Sequence, residues 1–353
     1  MTSKMAATDM EFAALIDLSA RIGTDPALVQ GPGGNTSLKR DGTMWIKASG
    51  TWLSQARERS IMVGVALGPL LGALDRNDPA CESGAQFVVA EANSAGLRPS
   101  IETTMHAALP HAVVLHVHCV ETIAWAVRSD AQAQLEQRLH GFDWCLVPYV
   151  RPGLPLTQLI RQRLRADTTV LILANHGLVV GGPTVAAAAS TLSTVVARLR
   201  RLARIAPIAD VDALEALAAG SGYRLPERMA VHSTATDAQS LAIAQKGSLY
   251  PDHVVFLGPG VFVLQADETL AQALHRARQE MRGDPALLLV PGKGALVRRS
   301  APPAAEAIAG CLADVLMRLS PEEPICTLSS VDEAAIINWD AEQYRRALAR
   351  GAG

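Results

Sequence analysis

The sequence is poor in aromatic residues, has almost no net charge and contains no long apolar run. Aromatic residues make up 4% of its 353 residues, and the formal net charge is −2. A chain this close to neutral gives no electrostatic reason to expect a nucleic acid or an anionic membrane as a partner. No apolar run approaches the roughly 20 residues of a membrane-spanning helix. We therefore expect no nucleic-acid partner and no membrane association.

The sequence gives no reason to expect paired cysteines or a signal peptide. The five cysteines are scattered, and none forms a Cys-x-x-Cys pair, which argues against a disulfide framework and against a thiolate zinc site. The first helix-like segment, MTSKMAATDMEFAALIDLSA, has charges among its apolar positions, unlike a signal peptide. These features predict a cytoplasmic protein.

Apolar strands alternate with amphipathic helices along the chain, which predicts an α/β fold. We expect a first domain over 1–210 and a second, smaller α/β lobe over 211–353. The predicted helices cover 1–22, 121–139, 155–165 and 184–205, with a further helix starting at Ser100 as its N-cap. The predicted strands lie at 37–39, 44–47, 113–118, 145–150 and 168–176, the first two forming a hairpin through Asp41 and Gly42.

The second half of the sequence contains two echoes of the first. PDHVVFLGPG (251–260) aligns without gaps on PHAVVLHVHC (110–119), and LLLVPGKGALV resembles LILANHGLVVGG. A diverged duplication would make 254–257 a strand and place Leu257 and Pro259 where the first half has histidines. The second copy would then lack metal ligands. A chance similarity between apolar strands remains the alternative.

Three histidines form a candidate metal site. His116 and His118 lie two residues apart in an apolar strand, so both side chains point to the same face and can converge on one ion. His176 ends a second buried strand, and Gly177 after it permits a sharp turn. Three neutral imidazoles with an open position suit a catalytic Zn²⁺. The alternative is three half-buried histidines whose partners are backbone groups or water.

Other polar residues lie close to this pattern. Glu102 lies on the helix that leads into the histidine strand, where a carboxylate can act as a general base. It could instead simply stabilise the first helical turn. The loop GPGGNTS (31–37) and the Ala-Ser-Gly-Thr segment (48–51) offer backbone N–H groups and small polar side chains that suit a phosphate. Either loop could equally be a simple connection between strands.

Together these residues resemble the class II aldolase/adducin family over roughly residues 10–205. The matching motifs, in the family's order, are the glycine-Asn-Ser-type loop, the Ser-Gly loop, Ser100-x-Glu102, His116-x-His118 and Asn175-His176-Gly177. The forms GPGGNTS, KASGTWL, RPSIETTMH and VPYVRPG look most like the aldolase domain of bacterial rhamnulose-phosphate aldolase/lactaldehyde dehydrogenase fusions. No G-x-G-x-x-G motif of a dehydrogenase half follows a strand in this sequence.

The resemblance implies a role for each matching residue. It implies Zn²⁺ as the cofactor, bound by His116, His118 and His176, with Glu102 as the catalytic acid/base. It assigns the substrate phosphate to Asn35, Ser49, Gly50 and Ser100. It also implies that Tyr149 donates a proton across a subunit interface, and hence a homo-oligomer, expected to be a tetramer.

The implied activity is a zinc-dependent aldolase that cleaves a ketose, as a 1-phosphate, into dihydroxyacetone phosphate and an aldehyde. Ile101 departs from the Ser-Ser-Glu pattern that is frequent in the family and removes one hydroxyl donor, which leaves open whether the sugar substrate is phosphorylated. A related lyase, epimerase or decarboxylase on a sugar acid or sugar phosphate is an alternative. A non-catalytic adducin-like module is another, although a module of that kind needs neither the histidines nor Glu102.

Overall fold

The structure is a computed structural model that describes residues 2–93, 95–280 and 283–351. Contacts within the chain group these residues into two units. The first unit contains the chain up to Thr122 together with Gln132–Arg200, and the second contains Ile123–Ala131 together with the chain from Arg201 onward. The sequence places the boundary at 210, and whether 1–210 and 211–353 are domains in their own right stays a prediction.

The first unit is built on a mixed sheet. Its strands are β1 (Asn35–Arg40), β2 (Thr43–Lys47), β3 (Met62–Ala66), β4 (Val113–Val117), β5 (Trp144–Val147), β6 (Val170–Leu173) and β7 (Gly177–Gly182). Their spatial order is β3-β2-β1-β4-β7-β6-β5. Among the described residues β5 and β6 run parallel, and the other neighbours run antiparallel. β4 therefore lies at the centre of the sheet.

The predicted hairpin is present between β1 and β2. Asp41 and Gly42 connect the two strands, and their φ angles are 45° and 77°. Positive φ at both central residues is the requirement of the tight type I′ turn, whose twist matches that of the strands. An Asp-Gly pair meets this requirement because glycine carries no Cβ and aspartate tolerates the left-handed region.

Helices alternate with these strands along the chain. They are α1 (Thr2–Gly23), α2 (Leu67–Asp75), α3 (Thr103–Ala108), α4 (Val120–Ala126), α5 (Ala131–Arg138), α6 (Leu154–Arg163) and α7 (Val185–Leu199). Most of α4 belongs to the second unit, which includes Ile123–Ala131. On one face, α3 and α6 bury Met105 and Ile160 against Val114 and Val179 of the sheet, and α2 packs beside them. α1 and α7 contact the sheet on β1, β4 and β7. The predicted α/β architecture is confirmed.

Three predicted helix limits are wrong. The single helix over 121–139 is two helices, because residues 127–130 form a turn in which Arg128 pairs with Ile325. The helix predicted over 184–205 ends at Leu199. α3 has Glu102 rather than Ser100 as its N-cap, because the Ser100 hydroxyl accepts the N–H of Glu102 in a turn before the helix, at 3.2 Å.

The second unit has its own smaller sheet, with strands in the order β8-β11-β10-β9. These are β8 (Tyr223–Arg224), β9 (Phe262–Val263), β10 (Leu287–Val290) and β11 (Gly294–Arg298). The helices are α8 (Val211–Ala218), α9 (Ser233–Thr236), α10 (Ala238–Ala244), α11 (Pro251–Leu257), α12 (Leu270–Gln279), α13 (Pro303–Leu316), α14 (Ser330–Ile337) and α15 (Asp340–Gly351). Its core packs α8 and α12 onto the sheet. None of the helices within the described ranges is long and apolar enough to cross a membrane.

The strand predicted at 254–257 is wrong, since these residues belong to α11. Pro251 occupies the first turn of α11, and Gly258, with φ of 95°, ends the helix. Proline is favoured at the first helical position, and a left-handed glycine is a common helix stop. The run Val254 to Leu257 is almost wholly buried, and a short buried run cannot be assigned to helix or strand by its periodicity. The proposed alignment of 251–260 on 110–119 therefore fails.

The second similarity, between LLLVPGKGALV and LILANHGLVVGG, lies in segments where both units have the same order of strands and helices. In each unit a strand, a helix, a parallel strand, an antiparallel strand and a long helix follow one another, as β5-α6-β6-β7-α7 and β9-α12-β10-β11-α13. The two strand-to-strand turns match as well, with positive φ at Asn175 and at Gly292. Lys293 then corresponds to His176. This order supports a duplication, which stays a proposal.

The strand registers give the correct counterpart of β4 under that proposal. Leu115 pairs with Val180, three residues after the first residue of β7, and Arg224 pairs with Val297, three residues after the first residue of β11. β8 is thus the counterpart of β4. Position 224 therefore corresponds to position 115 of the first unit. Positions 225 and 227 then correspond to the histidine positions 116 and 118. Those positions hold leucine and glutamate.

Gly177 provides a test of the central strand pairing. A Cβ at this position would lie 2.5 Å from the backbone oxygen of Val117, so Gly177→Ala must push β7 away from β4. We expect the free energy of unfolding to fall by about 1–3 kcal/mol, the usual cost of overpacking, in urea titrations. Gly68→Ala is the control, because a Cβ at Gly68 meets nothing within 4 Å. An unchanged stability in Gly177→Ala would contradict this account.

Candidate functional site

Three histidines from β4 and from the β6–β7 turn meet at one end of the first sheet. His116 lies in β4, His118 follows it directly, and His176 precedes β7. One nitrogen of each ring lies within 4.8 Å of the others, and the ring centroids are 4.9–5.2 Å apart. All three side chains are buried. The structure therefore brings together the three residues that the sequence suggests as metal ligands.

A backbone contact orients the His116 ring, and a side-chain contact holds the backbone of His118. His116 Nδ1 lies 3.1 Å from the Leu178 carbonyl of β7, which makes Nδ1 the donor and leaves a lone pair on Nε2. The amide group of buried Gln30 donates to the carbonyl of His118 at 3.2 Å. The Nε2 atoms of His116 and His118 are 3.2 Å apart. Two nitrogen ligands at about 2.0–2.1 Å from one Zn²⁺ lie about 3.3 Å apart, so this donor set fits a divalent metal.

A left-handed residue presents the third ring. Asn175 has a φ of 51°, a conformation that asparagine adopts more readily than most residues. The sequence assigned the sharp turn to Gly177, but the structure places it at Asn175. Gly177 is needed for another reason, because β7 approaches the Val117 carbonyl there too closely for a side chain.

The carboxylate of Glu102 lies against the histidine cluster. One oxygen is 3.4 Å from His116 Nε2 and the other is 3.4 Å from His176 Nε2. The amide group of Asn35 donates to the first oxygen at 2.8 Å. Burial alone would raise the pKa of Glu102, but the three histidines, assisted by the Asn35 hydrogen bond, lower it to about 2. Glu102 is therefore an ionised carboxylate at neutral pH, which is the form that accepts a proton.

The two polar loops predicted from the sequence also come together. The Asn35 amide group donates to the Ser100 hydroxyl at 3.1 Å. The segment before Ser100 runs beside the second loop, since Ser49 N–H donates to Arg98 O and Ser100 N–H donates to Lys47 O. Ser49 Oγ is buried and has no partner among the described residues. Asn35, Ser100 and Glu102 thus form one hydrogen-bonded group with the loop of Ser49 beside it, and we call these four residues the polar wall.

Lys47 forms hydrogen bonds to both polar loops. Its side chain is 1% exposed, and its Nζ donates to the carbonyls of Pro32 and Thr51, each at 2.7 Å. Pro32 belongs to the glycine-rich loop and Thr51 to the Ser-Gly loop. A buried ammonium needs such partners, because an unpaired one is costly away from water. Lys47 therefore fixes both loops relative to each other.

Tyr149 lies elsewhere in the first unit. It follows β5, the edge strand of the sheet, and β7 and β6 separate β5 from β4 in the strand order. Its proposed partnership with a neighbouring subunit stays a prediction.

Residues 13–203, more than half of the chain, match the family model for the class II aldolase and adducin N-terminal domain. The chain belongs to the class II aldolase and adducin family. The matched region includes all three histidines, Glu102 and both polar loops. The family's members include lyases, and the resemblance inferred from the sequence motifs is confirmed.

Several known proteins are similar to about half of the chain. An uncharacterized oxidoreductase of Bacillus subtilis, YuxG, is 30% identical over 182 residues, which cover 48% of this chain and 26% of that protein. The chain thus spans about a quarter of that relative's length. The N-terminal class II aldolase domain of a conserved Thermoplasma acidophilum protein is 26% identical, with a TM-score of 0.46, over 52% of this chain and 90% of that one. L-fuculose-1-phosphate aldolase from Thermus thermophilus is 15% identical, with a TM-score of 0.37, over 53% and 90%.

Sequence analysis missed several residues that support the site. Lys47 was detectable as a lysine between an apolar strand and a small polar loop, while Gln30 gave no signal. His106 was detectable by its spacing, since a residue four positions after Glu102 lies on the same side of a helix. His106 is fully buried, and its Nδ1 lies 2.7 Å from Ser37 Oγ. Burial, with the nearby His116 charge, lowers the pKa of His106 to about 3, so its ring is neutral.

The bridging role of Lys47 can be tested by Lys47→Met. The substitution leaves the buried carbonyls of Pro32 and Thr51 without this donor, so we expect the free energy of unfolding to fall by about 1–3 kcal/mol. Urea unfolding measures this difference. Lys246→Met is the control, because the exposed Lys246 donates to a single carbonyl, and it should change stability by less than about 0.5 kcal/mol. Equal effects of the two substitutions would contradict the bridge.

Proposed function

We propose that the protein is a zinc-dependent class II aldolase that cleaves a ketose, as its 1-phosphate, into dihydroxyacetone phosphate and an aldehyde. The observation that carries the proposal is the contact of one ionised carboxylate, Glu102, with two of three converging imidazoles. Such a group combines a metal-binding donor set with a base held beside it. Membership of the family supports the aldolase reaction.

The residues of this chain can be assigned to steps of the cleavage. A divalent cation held by the three imidazoles would supply a Lewis acid that withdraws negative charge from the substrate ketone. Glu102 exchanges a proton with the carbon next to that ketone. As a carboxylate it removes this proton during condensation. In cleavage Glu102 first takes up a proton, which balances the one that the substrate hydroxyl releases, and then delivers it to this carbon. The carbon–carbon bond breaks between this carbon and the neighbouring carbinol carbon, whose hydroxyl oxygen becomes the aldehyde oxygen.

The polar wall would hold the substrate on the other side of the reacting carbon. Asn35, Ser49 and Ser100, with the backbone of Gly50, line the loops that suit a phosphate. The positive charge of Lys47 lies directly beneath these loops and favours an anionic group there. Ile101 gives no hydroxyl to this wall. The proposal therefore keeps a non-phosphorylated ketose as a variant of the same reaction.

The remaining parts of the proposal concern the surroundings of the site. Tyr149 of a neighbouring subunit would exchange the proton of the hydroxyl that becomes the aldehyde, in a homo-oligomer that we propose to be a tetramer in the cytoplasm. A related lyase, epimerase or decarboxylase would use the same carboxylate and histidines on another sugar acid or sugar phosphate. A non-catalytic adducin-like module is less well supported, since it has no need of a buried carboxylate surrounded by histidines.

Metal binding and cleavage should both depend on His116. We expect the purified wild-type protein to contain one zinc per chain, and to release an aldehyde from one or more sugar phosphates in a screen with added Zn²⁺. His116→Ala should lose zinc and activity while circular dichroism shows an unchanged fold. His275→Ala is the control, because His275 is exposed and bonded to Gln279 in the second unit. Full zinc occupancy in His116→Ala, by elemental analysis, would remove the basis of the proposal.

Glu102 should affect turnover more than binding. Glu102→Gln keeps the shape of the side chain and can still contact Asn35, but it can no longer accept a proton. We expect kcat to fall by about 10²-fold or more with bound zinc retained. Steady-state kinetics on whichever substrate the screen identifies measure this. Turnover close to that of the wild type would assign the acid/base role to another residue.

A further inference from the structure

A row of polar pairs, two of them buried and the third partly buried, joins β1 to the segment containing α3 and begins at the site itself. Asn35, Ser37 and Lys39 alternate along β1 and therefore point to the same face of the sheet. Each has a hydrogen-bonding partner in the segment containing α3, and Asn35 also donates to Ser100 just before this helix. Asn35 donates to Glu102 at 2.8 Å, Ser37 Oγ lies 2.7 Å from His106 Nδ1, and the Lys39 ammonium donates to the carbonyl of Leu109. We call these three pairs the β1–α3 ladder.

The spacing of the ladder follows from the geometry of the two elements. Two residues of a strand cover about 6.6 Å, and four residues of a helix cover about 6 Å. Residues 35 and 37 of the strand are therefore spaced like residue 102, at the N-cap of the helix, and residue 106, within it. β1 and α3 run side by side in the same direction, with one polar contact at each step. A slip of α3 by one residue would break every contact in the ladder.

The other contacts of α3 are less specific. Met105 and Leu109 lie in an apolar cluster with α6, and Ala107 lies in a second apolar cluster with α2. Apolar contacts tolerate small displacements, whereas a hydrogen bond weakens steeply when its geometry changes. On this side a buried side-chain pair links α3 to α6, Thr104 with Thr157 at 3.0 Å. The ladder is thus the side-chain contact that fixes the register of α3 along β1, in addition to the β1–β4 pairing that begins at Val113.

The ladder bears on the site because Glu102 is its first member. Ser37 and His106 are both fully buried, and His106 Nε2 has no partner among the described residues. Ser37 is therefore the hydrogen-bonding partner that the described structure gives to the His106 ring. Loss of this middle contact would leave α3 attached to β1 only at its two ends.

We propose that the Ser37–His106 pair is a positioning device that sets the distance between the Glu102 carboxylate and the metal-binding imidazoles. Neither residue touches the substrate in this proposal. Both act through α3, whose register fixes the carboxylate. The proposal rests on the acid/base role proposed for Glu102 and names the residues that make this role possible.

The test compares substitutions on the two sides of α3. His106→Leu and Ser37→Ala remove the middle contact of the ladder. His106→Asn is the conservative variant, because its side-chain amide can still reach Ser37. Thr104→Val is the matched control, since it removes a buried hydrogen bond of the same helix that does not involve β1. Crystal structures of the metal-free variants give the distance between Glu102 and His116, and Co²⁺ titration of the full chain gives metal affinity and the visible absorption spectrum.

We expect the Glu102 carboxylate to move by more than about 1 Å in His106→Leu and Ser37→Ala, a displacement large enough to impair catalysis. The Co²⁺ dissociation constant should rise by about 10-fold in these two variants, as is typical when a group that supports a metal site is lost, and the spectrum should shift. His106→Asn and Thr104→Val should keep the wild-type distance, affinity and spectrum.

Two results would overturn the proposal. One is an unmoved carboxylate in both His106→Leu and Ser37→Ala, and the other is an equal displacement in Thr104→Val, which would indicate general loosening of the helix. A wild-type protein that binds no Co²⁺ would instead refute the proposed metal site. The crystallographic distances would still decide whether the ladder positions Glu102, so the two failures are distinguishable.

Discussion

The antiparallel pairing of β4 with β1 on one side and β7 on the other is the constraint on which the site depends. The register places Asn35 opposite His116 and places His116 opposite Val179. The first pairing brings Asn35, the partner of Glu102, beside the His116 ring, and the second brings the His176 turn to the same end of the sheet. A shift by one residue in either pairing would turn His116 to the other face. The relative positions of the site residues therefore depend on the registers of these two strand pairings.

A second constraint is electrostatic. Glu102 is 5% exposed, and an isolated carboxylate buried to this degree would be expected to hold its proton. Here the histidines and Asn35 reverse that tendency, so the same groups that surround the carboxylate also keep it ionised. Breaking up this group would do more than remove a contact, because each member changes the charge state that its neighbours prefer. We therefore regard the carboxylate and the imidazoles as one unit.

The elements that the sequence predicted correctly are those with strong local signals. The Asp-Gly hairpin, the apolar strand with its two histidines and the helix of the first residues each follow from turn chemistry or periodicity. The errors arose where local signals are ambiguous. α11 is buried on all sides, so its apolar run carries no period, and its Pro251 and Gly258 were the available cues. The break between α4 and α5 depends on a pairing with Ile325, which is nearly 200 residues away in the chain and invisible to a local pattern.

The residues of the site also divide into those that the sequence identified by a local signal and those that it did not. His116, His118, His176 and Glu102 were identified because their types and spacing are unusual in apolar surroundings. The support from Gln30 could not be foreseen, because its partner is a backbone carbonyl 88 residues away, and any strand or loop offers such a carbonyl. The assignment of the turn to Gly177 rather than Asn175 had a further cause. Glycine serves both positive φ and close backbone approach, and the sequence does not distinguish the two uses.

The central position of β4 also has a consequence for how the protein is made. β1 and β4 are separated by about 75 residues, and β4 and β7 by about 60, so both pairings close long loops that must form against chain entropy. During synthesis the chain has to extend past Gly182 before β7 can complete this part of the sheet. Until then the three imidazoles cannot be held together, and an emerging chain offers a metal ion only isolated or paired histidines. The proposed ligand set therefore forms only after about half of the chain has been made, and a bound metal would report that the central sheet has formed.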